Sequence, residues 1–293
     1  MENFLPNPPT FSNELVEQCK QNGDFRPILF EWYKYVGILC LHTASLTLNS
    51  PAFRVIPKIH YALLTGLLNR CSRLMLANVR LSSTQRYGET TALLDRSIAE
   101  TAIKIQWLCH KDNPEYFLRY LADGLKKDLK LKDDINENIS NRGGDTLVIE
   151  TKMLHSIDTC LNLSGLTQQK VFSAKKLPDF ATMCRDLSYG DMVYTAIYRM
   201  GSHAVHGTWS DLIFHYLRHE DDQGFSLKDL EEDTQDIQYI YMSWLVLKAM
   251  GAFLNYVAEN PSEMNAFFSV LDGIEQELAE IQNFVLASDF DKE

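Results

Sequence analysis

Arg199, Ser202, His203 and His206 stand at i, i+3, i+4 and i+7 in the stretch SYGDMVYTAIYRMGSHAVH, a spacing that puts all four on one stripe of one helix. An arginine fork stabilises developing phosphate charge, and a histidine exchanges a proton near neutral pH. Together they are the minimal parts of metal-free phosphodiester cleavage. Val193, Ala196, Ile197, Met200 and Ala204 fill the packed face of the same helix. Gly207 follows as a natural C-cap, so His206 falls in the last turn, beside carbonyls that lack helical partners. Gly201 and Gly207 remove side-chain bulk next to the histidines and leave room for a ligand or a close backbone.

A second pair is read with the first. Arg96 and Glu100 are i and i+4, and their stripe continues to Ile103 and Trp107, apolar residues expected to be buried. The pair therefore points inward or into a cleft, where charges demand partners. In one reading Glu100 orients a histidine tautomer and Arg96 adds a phosphate contact; in the other the two only tie helices together. Four histidines, His203, His206, His215 and His219, also crowd one stretch, followed by Glu220, Asp221 and Asp222. His215 and His219 at i, i+4 would share one helical face, with His203 or His206 as a third ligand, which is the alternative of a metal-dependent hydrolase. Against a metal, Tyr216, Leu217 and Arg218 stand where a helical zinc hydrolase carries its H-E-x-x-H core. Ser202 lacks the sharp turn of a hydrolase nucleophile, and Gly143-Gly144 lacks the lysine of a phosphate loop.

The elements that must position these residues are helices. Apolar residues recur at three and four along nearly the whole chain, and no strand is expected. The pattern predicts helices over about 11–21, 26–48, 57–80, the stretch from the Ser82-Ser83-Thr84 cap to Lys111, 114–139, 147–162, 167–174 and a short turn after Pro178. The motif helix follows, then a helix capped by Thr208 or Ser210 that carries HYLRH, then two long helices over 226–258 and 262–286. On the fourth helix Leu94, Ile98, Ala102, Ile105 and Leu108 form an apolar stripe. The expected fold is an all-α multi-helix bundle in one body, residues 1–293. Within it, 1–56 is an N-terminal helical extension, 57–258 the core bundle and 259–293 an acidic C-terminal helix.

Composition narrows the function classes. With 45% hydrophobic and 23% charged residues the chain buries a sizeable core. Its net charge of −11 is uneven, because residues 220–293 hold 17 Asp/Glu against 3 Lys/Arg. Such a chain is a poor general binder of nucleic acid, so RNA would have to be met at a local site in the first three-quarters. The acidic quarter suits a basic protein partner instead, and a non-enzymatic helical adaptor or regulatory protein is the second reading. Six separated cysteines, an acidic Pro-rich start in place of a secretory signal, and an apolar helix interrupted by Ser243, Lys248 and Asn255 predict a cytoplasmic protein with no membrane anchor.

YRMGSHAVHG resembles the Arg-x(4 to 6)-His signature of the HEPN superfamily, the higher eukaryotes and prokaryotes nucleotide-binding domains, with Arg199 and His206 as the pair. The RSIAE segment (R-x3-E), together with Tyr198, Ser202 and His206 (Y-x3-S-x3-H), also resembles a widespread family of uncharacterised bacterial all-helical proteins, over roughly residues 85–260. The HEPN resemblance implies a HEPN-like core, a homodimer with facing motif helices, and a metal-independent ribonuclease of the toxin type, in anti-phage defence or stress response. It implies RNA as substrate and no cofactor; a protein partner or inhibitor is a further expectation. Residue by residue it offers only Arg199, to stabilise the transition state, and His206, as general acid/base. Tyr198, Ser202, His203, Arg96 and Glu100 would support them. Met200 departs from the polar residue that HEPN ribonucleases carry after the arginine.

Overall fold

Local chemistry fixes where the helices begin and end. Ser12 opens α1 (Asn13–Asn22) by accepting from the Leu15 N–H at 3.2 Å, and Gly23 closes it at φ 64°. Pro27 stands in the first turn of α2 (Arg26–Ala44), where its missing N–H is harmless. Pro57 precedes α3 (Lys58–Ser82), and α4 spans Gly88–Lys111. The computed structural model describes residues 5–190, 195, 206–220, 224–228 and 233–290. Among these, helices dominate, and the protein is an all-α multi-helix bundle.

The chain divides into two compact units, residues 1–110 with 180–293, and residues 111–179. In the first, α2 packs on α3 and on α9 (Asp236–Val257). Leu29, Val36 and Leu39 of α2, Leu64, Leu68 and Met75 of α3, and Ile240, Val246, Met250 and Phe253 of α9 are sealed from water. Gly37 permits the close approach of α2 to α3, since a Cβ there would lie 3.2 Å from the Met75 Cβ. After a 3-10 turn (Pro261–Met264), α10 (Asn265–Phe290) lies against α9. Despite Ser243, Lys248 and Asn255, α9 is long and apolar enough to cross a membrane by length and composition, yet most of it is buried inside its unit. None of the six cysteines forms a disulfide; five are buried and Cys160 is exposed.

The second unit holds α5 (Pro114–Asn141), α6 (Val148–Ser164) and α7 (Gln168–Ser173). Asn113 caps α5, accepting from the Glu115 N–H at 2.9 Å. The turn between α5 and α6 uses Gly143 and Gly144 at φ 74° and 96°. Ala122, Leu125, Leu129 and Val171 form its core, and Lys126 Nζ donates to the Ala174 carbonyl at 2.6 Å.

One expectation fails. Instead of a helix carrying HYLRH, a single helical turn (Trp209–Asp211) and a π turn (Leu212–Tyr216) lead into an antiparallel hairpin, β1 (Leu217–Glu220) and β2 (Gly224–Leu227). Leu217 faces Leu227 and His219 faces Phe225 across it. Gly224, at φ 83°, takes the left-handed conformation with which the chain enters β2. The helix predicted from 226 begins only at Asp236, because residues 224–227 belong to the strand. Strands of four residues are too short for alternation to outweigh a helical reading of the same histidines.

Candidate functional site

Tyr198, Arg199, Ser202 and His203 lie outside the described residues, as do Val193, Ala196, Ile197, Met200 and Ala204. His206 is described: it is helical and exposed, and Gly207 follows at φ 53°, the conformation expected of a C-cap glycine. Thr208 then caps the next turn, its hydroxyl accepting from the Asp211 N–H at 3.4 Å.

The approach to the motif stretch is held by α4. Trp107 Nε1 donates to Asp186 Oδ2 at 2.9 Å, and the Tyr189 hydroxyl donates to Gln106 Oε1 at 2.8 Å. Gln106 Nε2 in turn donates to the Leu245 carbonyl at 3.1 Å, so one buried amide joins α4, α9 and the segment after α8 (Phe180–Asp186). Burial pushes the Tyr189 phenol up to about 12. Sequence reasoning missed Gln106, Asp186 and Tyr189. The available signal was Gln106 itself, a polar residue between Ile105 and Trp107 on an apolar run.

Arg96 and Glu100 do pair, Nε to Oε1 at 3.2 Å, with side chains 14% and 31% exposed, while Ile103 and Trp107 are buried as expected. Lys104, one further turn along, reaches the other Glu100 oxygen at 3.7 Å. The stripe therefore presents two cations, Arg96 and Lys104, about one partly buried carboxylate.

The metal reading loses its geometric premise. His215 sits in the π turn and His219 in β1, so the i, i+4 spacing does not bring them to one helical face. His219 instead faces the Phe225 ring at 5.2 Å. Among the described residues no three His, Cys, Asp or Glu side chains gather as a metal site would require.

A buried polar network was also missed. Asp95, 7% exposed, accepts from Asn78 Nδ2 at 2.8 Å and from Gln238 Nε2 at 2.6 Å. Asn78 also donates to the Tyr33 hydroxyl and accepts from Ser82, and Ser82 and Thr91 both meet Thr234. Burial raises the Asp95 carboxyl to about 7, against the lowering effect of the Gln238 and Asn78 amides. The network ties α2, α3 and α4 to the segment that opens α9.

The fold thus defines an all-α protein whose α4 anchors both the Arg96–Glu100 stripe and the approach to the motif stretch. The chain belongs to the family of unknown function DUF5677, whose model matches residues 61–225, more than half of its length. That match takes in most of α3, all of α4, the whole second unit, the motif stretch and the start of β2. No curated protein and no solved structure matches the chain.

Proposed function

We propose that the chain is a HEPN-like, metal-independent endoribonuclease, a toxin-type effector acting in the cytoplasm in anti-phage defence or stress response. His206 exchanges the proton and Arg199 stabilises the charge on phosphorus, while Arg96, Glu100, Tyr198, Ser202 and His203 position them. The RNA 2′-hydroxyl loses its proton to His206 and bonds to phosphorus, the P–O5′ bond breaks, the 5′-oxygen takes that proton from His206, and a 2′,3′-cyclic phosphate remains. The observation that carries the reading is that His206 is exposed at a helix end closed by Gly207, where an RNA phosphate has access to the imidazole. A homodimer would bring two such pairs together. The test is incubation of total RNA with the purified protein in EDTA: cyclic-phosphate ends are the expected product, and intact RNA would overturn the reading.

A second reading, a helical adaptor for a protein partner, is supported by a different observation: Trp209, Phe214, Phe225 and Leu227 are all substantially exposed within one short stretch. Co-purification cannot decide between the two, but cleavage can.

A further inference from the structure

The hairpin and the turn before it leave large apolar side chains uncovered. Alternation along the strands puts Leu217, His219, Phe225 and Leu227 on one face and Arg218, Glu220 and Ser226 on the other, where Ser226 donates to Glu220 at 2.6 Å. Trp209 closes the first face edge-on to Phe225, at 5.6 Å between ring centroids. Trp209 is 61% exposed, Phe225 49% and Leu227 84%. A two-stranded hairpin is marginal in water by itself and gains stability when its apolar face is covered.

Charge selects what covers it. Residues 217–236 carry eight Asp/Glu against two Lys/Arg; Glu220 lies on the opposite face and Asp233 pairs with Arg26, and the link between the strands begins Asp221-Asp222. Aromatic rings suit RNA bases, but binding of a phosphate backbone is driven by neutralising its charge, and this stretch adds charge of the same sign. A cationic peptide with apolar anchors meets both requirements, the rings burying its side chains and the acidic residues pairing with its lysines or arginines.

We infer that the Trp209–Phe225–Leu227 face of the hairpin is a docking surface for a basic, apolar-anchored peptide segment of a protein partner. The inference goes beyond the ribonuclease reading and does not depend on it, because it is read by binding and not by cleavage.

The test is fluorescence anisotropy with three labelled probes of equal length: an alternating Lys-Leu peptide, an alternating Glu-Leu peptide, and 2′-O-methyl oligouridine, which the 2′-hydroxyl route does not cleave. The full chain is compared with Phe225→Ser/Leu227→Ser and with Asp221→Asn/Asp222→Asn, the second pair changing charge while leaving the apolar face intact. The Lys-Leu peptide should bind the wild type, lose about tenfold or more in affinity with the apolar pair and several-fold with the charge pair, and weaken with salt. Absence of Lys-Leu binding, or equal binding by all three proteins, would overturn the inference. Oligouridine binding that is lost with Phe225→Ser/Leu227→Ser would also overturn it and assign the face to nucleic acid.

Discussion

Asp95 makes the stability of this fold depend on pH in a way that one substitution isolates. Both of its oxygens accept from neutral amides, Asn78 and Gln238, and burial lifts its carboxyl from 3.8 to about 7. A carboxyl raised in the fold keeps a proton that the unfolded chain releases. Its contribution is therefore full below the unfolded value and is lost as pH rises through the folded one, a window from about pH 4 to about pH 7. At about 1.4 kcal/mol per pH unit the whole window amounts to roughly 4 kcal/mol, and the part between about pH 5 and pH 8 to roughly 3 kcal/mol. Asp95→Asn removes the titration but turns an amide donor toward Asn78 or Gln238, a loss of about 1–3 kcal/mol that does not vary with pH. Urea unfolding followed by circular dichroism across that range gives the difference between the two proteins. The wild type should be the more stable near pH 5, and that advantage should shrink or reverse near pH 8. A difference that stays flat to within about 0.5 kcal/mol would refute the reasoning, since only titration of this group makes it slope.

Two glycines give opposite expectations from one substitution. Gly66→Ala, on an exposed face of α3 with nothing within 4 Å of the added Cβ, should stabilise by about 0.5–1 kcal/mol in thermal melting. Gly37→Ala should lose about 1–3 kcal/mol, because its Cβ meets the Met75 Cβ, which moves only if α3 moves. Tyr189→Phe strands the Gln106 carbonyl and should lose about 1–3 kcal/mol by the same melting measurement. A maleimide should label Cys160 in the folded protein and reach the other five cysteines only on unfolding, as mass spectrometry of the timed reaction will show.

The fold was legible where a long amphipathic period dominates. On α4 the spacing of Leu94, Ile98, Ala102, Ile105 and Leu108 announced a buried stripe; the last four are buried and Leu94 is half-buried. The same spacing extended back reaches Asp95 and Thr91, which are buried too, although an aspartate beside Arg96 reads as surface charge when taken alone. Its burial depends on amides from Asn78 and Gln238, partners 17 and 143 residues away, which no local pattern contains. The hairpin failed for the opposite reason. Its strands are short, and His215 and His219 happen to match a helical repeat that tertiary structure does not use. At the candidate site the Arg96–Glu100 pairing followed from i, i+4 spacing, whereas the tether of Tyr189 to Gln106 spans 83 residues and was invisible.

The central claim is that Arg199 and His206 together cleave RNA without a metal. Its most direct test is the rate of total-RNA cleavage in EDTA by the wild type beside Arg199→Ala and His206→Ala, each shown by circular dichroism to be folded. Cleavage by the wild type with cyclic-phosphate ends, reduced about a hundredfold or more by either substitution, is the result predicted. Cleavage that survives both substitutions, or that requires an added divalent metal, would contradict it.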